Sequence, residues 1–205
     1  MTARILGKLA AHSPPWYLAR VGRIGGSDIA TACGWSPWHS RAELLEEKSA
    51  VQPATASTAA QERGNMLEPA ALAWLSARKG VGYDAEASVT TWLHETLDWA
   101  MFTPDGITED GELVEIKTTS DRSIDRGWGR AGTDQVPLYY AAQVQWGLGI
   151  LEASRAWLGV IHGATNGRPD LDLAIYKIDF NPAAFAGLIT RGQRFIDELT
   201  GRNTP

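Results

Sequence analysis

Apolar positions along this chain recur at two periods, and the change from one to the other divides it into helical and extended parts. Leu67, Ala71, Trp74 and Leu75 fall on one face of a helix, which the pattern carries to Lys79 with Gly80 as a stop signal. Upstream of it, residues 15–20 read as a short helical turn, and Ser27, behind Gly25-Gly26, caps a short helix that ends at Gly34. Ser40-Arg41-Ala42-Glu43 fits a capping box and opens a helix to about Lys48. Residues 49–57, rich in Ala, Thr, Pro and Gln, read as a linker between two helices, too short and too early for a domain boundary. The period then shortens to that of strands over about 83–92, 99–103 and 113–118, with glycine turns between them, including the hairpin signal Asp110-Gly111. Residues 122–136 are glycine-rich and read as a loop, after which Pro137 suits the first turn of a helix reaching about Leu151. Two more strands follow, at 156–161 and 173–178. Asn181-Pro182 caps a last helix with the stripe Phe185, Leu188, Ile189, Phe195, Ile196 and Leu199. The order predicts an α+β fold in which helices flank one central mixed sheet, in a single domain over residues 1–205.

Composition narrows the class without choosing a function. No apolar run approaches the roughly 20 residues needed to cross a bilayer, and the N-terminal residues lack a signal-peptide core. Cys33 is the only cysteine, so no internal disulfide forms and the cytosol is the natural compartment. A net charge of −5 argues weakly against a protein that coats nucleic acid, but leaves room for a nuclease with local positive charge. Of 19 basic residues 14 are arginine, the better fork for phosphate oxygens, although a GC-rich genome explains the bias equally well. His12, His39, His94 and His162 show no metal-ligand spacing and read as surface or structural residues.

The chemistry concentrates at the junction of two apolar runs. Asp105 lies in a Pro-Asp-Gly turn, while Glu115 alternates with Val114 and Ile116 in a strand-like run that continues to Lys117. Alternation puts Glu115 and Lys117 on one face of that strand and Val114 and Ile116 on the other. Carboxylate oxygens suit a hard divalent cation, and an amine beside a metal-bound water orients it, a set of parts for hydrolysing a phosphodiester. A hairpin with solvated charges is the competing reading.

Pro104-Asp105 followed by Glu115-Ile116-Lys117 resembles the PD-(D/E)XK nuclease signature, on a restriction-endonuclease-like core. Three further motifs extend the likeness. Trp16-x-x-x-Arg20-x-Gly22-x-Ile24-x-x-Ser27 resembles the N-terminal motif of phage lambda exonuclease and the YqaJ-like viral recombinase family. Gly64-x-x-x-Glu68 is similar to that family's acidic helix, and Tyr140-x-x-Gln143-Val144-Gln145 to its downstream helix motif. The resemblance implies an enzyme that degrades one strand of linear duplex DNA from a 5′ end and supplies single strands to an annealing recombinase, in the cytoplasm of a bacterium carrying a phage or prophage. It implies Mg²⁺, replaceable by Mn²⁺, as one or two ions held by Asp105, Glu115, the Ile116 backbone carbonyl and Glu68. It gives Lys117 the attacking water, Gln143 a supporting contact to water or Lys117, and Arg20 and Ser27 the 5′-phosphate. It also suggests a ring-shaped homotrimer around DNA. Iron–sulfur relatives of the fold need several cysteines, which one chain with Cys33 alone does not supply.

Other residues stay open between two readings. Pro69 directly after Glu68 either kinks its helix or marks the first turn. Arg122, Arg126 and Arg130 recur at helical spacing, yet Gly127 and Gly129 argue for a basic loop, which either tracks a phosphate backbone or is simply solvated. Trp128 either stacks on DNA or pins that loop to the core, with the second favoured. Tyr139, Tyr140 and Trp146 read as helix packing, and Trp35 and Trp38 as anchors of a turn. A structure-specific endonuclease on the same core and a catalytically silent DNA-binding scaffold are the competing functions. Arg20 and Ser27 speak against the first, and the intact set Asp105, Glu115, Lys117, Glu68 and Gln143 against the second.

Overall fold

A computed structural model describes residues 3–51, 58–119, 127–162 and 172–202. The described elements are β1 (Arg4–Lys8), α1 (Pro14–Arg20), α2 (Gly26–Ala32), α3 (Arg41–Ser49), α4 (Ala59–Lys79), β2 (Tyr83–Asp84), a 3₁₀ turn (Ala85–Val89), β3 (Thr90–Leu93), β4 (Met101–Phe102), β5 (Gly106–Thr108), β6 (Leu113–Thr119), α5 (Leu138–Leu151), β7 (Arg155–His162), β8 (Asp172–Asp179) and α6 (Pro182–Leu199). They form two sheets, a small antiparallel one ordered β1-β3-β4 and a larger one ordered β2-β5-β6-β7-β8. In the larger sheet β6 and β7 run parallel, and α5 is the connection between them.

That sheet is covered on both faces, as its apolar runs require. Val114 and Ile116 of β6 pack with Ala71, Leu72 and Leu75 of α4. Leu113 of β6 and Leu158 and Val160 of β7 pack with Val144, Trp146 and Leu148 of α5, and Phe195 of α6 joins the same core. The alternation read from the sequence therefore holds: Val114 and Ile116 face α4, while Glu115 and Lys117 face α5.

Local chemistry explains most of the boundaries. Ser40 and Glu43 close the capping box of α3, with Ser40 N–H donating to Glu43 Oε2 at 2.7 Å and Glu43 N–H to Ser40 Oγ at 3.2 Å. Gly80 ends α4 at φ 67°, a left-handed conformation that favours glycine. Pro69 sits inside α4, so it marks no first turn. Leu188, Phe195 and Ile196 of the α6 stripe are buried and Phe185, Ile189 and Leu199 partly so, and the Asn181 side chain accepts from Ala184 N–H at 3.0 Å.

Five features differ from what the sequence predicts. The run 83–92 is not one strand: the Asp84 carboxylate accepts from Glu86 N–H at 2.9 Å and bends the chain into the 3₁₀ turn. The meander is thereby divided between two sheets, because β2 pairs with β5 while β3 pairs with β1 and β4, and the single central sheet expected from the sequence becomes two. Residues 106–108, read as part of a turn, form β5 against β6, and Arg4–Lys8 adds an unanticipated strand. Finally, α2 is capped by Gly25 rather than Ser27, because Asp28 accepts from Gly25 N–H at 2.8 Å and leaves Ser27 exposed in the first turn. Residues 52–57, 120–126 and 163–171 lie outside the described residues. Part of the expected linker and both Arg122 and Arg126 fall there.

Candidate active site

The site is assembled where β5 stops and β6 continues. Gly106 pairs with Val114, the last pairing of the hairpin at this end. Two residues further on, Ile116 N–H donates to Asp105 Oδ2 at 2.6 Å instead of to a strand, so the side chain completes the ladder and is fixed by it. On the α5 face of β6, Lys117 Nζ donates to Glu115 Oε1 at 2.6 Å. Gln143 Nε2, reaching across from α5, donates to the same oxygen. Glu115 is 1% exposed, and its other oxygen, Oε2, has no hydrogen-bond partner among the described residues. A buried carboxylate oxygen without a donor is costly, and an acceptor-only oxygen of this kind suits a hard cation.

Electrostatics set these groups apart from ordinary surface charges. Burial pushes the Glu115 carboxyl up to about 8, the nearby Asp105 adds to the rise, and Lys117 opposes it. Burial likewise raises Asp105, against the pull of Lys117 and the Ile116 N–H. Glu68, on α4, is pushed up to about 7 by burial and by Asp105, so it shares the field of the site from the neighbouring helix. Burial would lower Lys117, but Glu115 and Asp105 outweigh it and hold the amine charged. Three carboxyls crowded around one ammonium titrate as a set. Among the described residues, no three Asp, Glu, His or Cys side chains already converge as a metal cage. The donor set that fits a divalent cation is therefore Asp105, Glu115 with its orphaned oxygen, and backbone oxygen or water, with Glu68 within electrostatic reach.

A cavity of about 190 Å³ joins this cluster to the N-terminal motif, lined by Arg20, Ser27, Asp105, Glu115, Lys117 and Gln143 among others. Glu68 does not line it. Arg20 and Trp16 stand one turn apart on α1, which lays the guanidinium over the indole ring at 4.5 Å. A second cavity of about 330 Å³ continues past Trp16, Arg20 and Ser27 towards His12, Tyr17 and Gln61. Of the remaining sequence candidates, Arg130 is exposed on a turn where its carbonyl accepts from Thr133. Trp128 is buried beside Tyr140, His162 and Tyr176, so it pins its loop to the core. Gln145 holds the end of β8, donating to Asp179 O and accepting from Asn181 N–H.

Two charged residues escaped the sequence reading. Asp28 and Lys48 form a buried ion pair at 2.8 Å directly behind Arg20. Asp28 stands in the first turn of α2 and Lys48 in the last turn of α3, and no local spacing links them.

Helices on both faces of a mixed sheet, with Asp105 and Glu115-x-Lys117 where two strands part, define the PD-(D/E)XK type of nuclease fold. The family model of the YqaJ-like viral recombinase domain matches residues 15–154, and the chain belongs to that family. Among solved structures it is similar to an alkaline exonuclease, LHK-Exo from Laribacter hongkongensis, at 22% identity and a TM-score of 0.72 over 92% of this chain and 93% of that one. LHK-Exo in complex with dAMP superposes with a TM-score of 0.70, at the same identity and coverage. A phage related exonuclease from Haemophilus somnus 129PT matches at 11% identity and a TM-score of 0.57, over 87% of this chain and 95% of that one. At such identities the likeness is one of fold. No curated protein sequence matches the chain.

Proposed function

We propose that this chain is a divalent-metal-dependent exonuclease that hydrolyses linear duplex DNA from a 5′ end. One observation carries the reading: a single cavity is lined both by Arg20 and Ser27 and by Asp105, Glu115 and Lys117. An end-reading anion site and a hydrolytic site within one cavity suit an enzyme that counts from a terminus. The family assignment and the fold it shares with exonucleases support the same class.

In this reading Asp105 and Glu115 hold the cation, with the Ile116 carbonyl and, directly or through water, Glu68. Held there, Mg²⁺ or Mn²⁺ would supply charge neutralisation at the scissile phosphate and an acidified water, and a second ion would stabilise the leaving oxygen. Lys117 orients the attacking water and helps stabilise negative charge developing on phosphate oxygens. Gln143 fixes the carboxylate that Lys117 contacts, so the amine and carboxylate move as a unit. Arg20 takes the 5′-phosphate with its guanidinium fork and Ser27 with its hydroxyl. Attack in line with the leaving 3′ oxygen creates a new 5′-phosphate on the next nucleotide, and the Arg20–Ser27 site receives it again, which makes repeated cleavage natural. Arg122, Arg126 and Arg130 add basic contacts to the duplex backbone. The single strand left behind would feed an annealing protein, in the cytoplasm of a bacterial host.

Duplexes labelled at one 5′ end or one 3′ end test direction and metal together. Early release of only the 5′ label, abolished by chelator and restored by Mg²⁺, is the expected result. Early release of the 3′ label, or release that survives chelator, contradicts the proposal.

A further inference from the structure

We propose that Lys48, acting through Asp28, is a positioning residue for the terminal phosphate: it holds the Arg20 guanidinium beside Ser27 and keeps that corner positively charged. The inference rests on the reading of Arg20 and Ser27 as the 5′-phosphate site.

Lys48 is 1% exposed, which is unusual for an ammonium, and its Nζ stands 2.8 Å from Asp28 Oδ2. Arg20 Nη2 donates to Asp28 Oδ1 and Oδ2, both at 2.8 Å, and Gly25 N–H donates to Oδ2 at 2.8 Å. The carboxylate is thus gripped by two cations and a backbone amide. Burial would raise Asp28, but Arg20 and Lys48 outweigh it and hold it ionised well below the usual carboxylate range. The main chain of Lys48 is tied to the same corner, for its carbonyl accepts from Gly22 N–H at 3.0 Å just after α1.

Capping α2 needs only the Gly25 N–H, and neutralising Asp28 needs only Arg20. A second buried cation is in excess of both needs, and burying it is costly unless it serves something. The charge count supplies the purpose. Arg20 and Asp28 alone make a neutral pair, a weak receptor for a phosphate dianion. With Lys48 the buried cluster is again positive, and its low-dielectric setting makes that charge count. Glu47, 3.0 Å from Lys48 Nζ, lies at the solvent edge with 37% of its side chain exposed, so water screens it more than it screens Asp28. Geometry restricts Arg20 as well. Its guanidinium lies between the Trp16 ring and Gly25, where a β-carbon would stand 3.1 Å from Nη1. Asp28 fixes the remaining direction, and Lys48 fixes Asp28.

The test measures single-turnover cleavage of linear duplexes ending in a 5′-phosphate or a 5′-hydroxyl, for the wild type, Arg20→Ala, Lys48→Met and Asp28→Asn, with Tm recorded for each. The preference for phosphate ends is expected to fall roughly tenfold or more in Lys48→Met, the scale of losing a charge-assisted hydrogen bond, and by less in Asp28→Asn, which frees Arg20 but also removes a negative charge. The rate on 5′-hydroxyl ends should stay unchanged in Lys48→Met. Adding Lys48→Met to Arg20→Ala should remove less preference than Lys48→Met removes from the wild type, because part of its effect runs through Arg20. Lys48→Arg, which keeps the charge, should retain most of the preference. If Lys48→Met fails to fold, Asp28→Asn, which preserves shape, carries the same comparison. A purely structural role predicts something else: a lower Tm with the phosphate preference intact, or equal slowing on both ends, and either result overturns the inference. A wild type without any preference for phosphate ends removes the end-recognition reading itself, and this inference with it.

Discussion

At the scale of single residues, Glu115 carries a conflict. Its side chain is buried, charged only at a cost, and one of its two oxygens has no hydrogen-bond partner among the described residues. Groups arranged this way commonly give up stability for activity. Glu115→Gln should therefore abolish metal-dependent cleavage while leaving Tm unchanged or raised, by the equivalent of roughly 1–2 kcal/mol at pH 8 or above. The pH dependence follows in sign. Glu115 has an ordinary value of 4.5 and sits at about 8 in the fold, so the folded protein holds a proton that the unfolded chain has lost. Stability gained from that proton is present at low pH and disappears as pH rises through about 8. Glu68, at about 7, acts in the same direction. Melts with and without Mg²⁺ check this: the ion should stabilise the wild type strongly at pH 8.5 and little at pH 6, because it competes with these protons. Equal stabilisation of Glu115→Gln would remove Glu115 from the ligand set. Asp105, Glu115 and Lys117 were legible in the sequence because a hairpin of local contacts brings them together. Asp28 and Lys48 were not, since an ion pair between helices leaves no period or motif in either one.

At the scale of elements, α5 is held at its station by glycines. A β-carbon at Gly147 would collide with the Phe102 ring, and so would one at Gly26 of α2. Phe102 thus fills the space between α2 and α5, and these glycines let the two helices approach the strand that leads into Asp105. Gly147→Ala should cost about 1–3 kcal/mol through overpacking and also slow cleavage, because Gln143 rides on the same helix. Gly187→Ala is the control: nothing stands within 4 Å of a β-carbon there, on the exposed side of α6. It should stabilise by roughly 0.5–1 kcal/mol with activity unchanged. Tm and rate measured on both variants separate packing from helix propensity. Helix ends were readable from Ser40, Gly80 and Asn181, whose chemistry is local. The splitting of the meander was hidden, because one Asp84 side chain bonding to Glu86 N–H redirects an otherwise continuous β-prone run.

At the scale of the whole molecule, a chain of net charge −5 must still approach a polyanion. A closed ring of three copies would gather local basic groups around a channel and move acidic surface outward. Light scattering should then give the mass of three chains; a monomer that still degrades long DNA without release sinks the ring.

If the proposed function holds, Asp105 belongs to a metal-dependent site that works only from DNA ends. Purified protein incubated with linear 5′-phosphorylated duplex and with closed circular duplex, with Mg²⁺ or chelator, beside Asp105→Ala, tests it most directly. Loss of the linear DNA alone, only with metal and only in the wild type, is the expected result. Cutting of the circle, or degradation that survives chelator or Asp105→Ala, would contradict it.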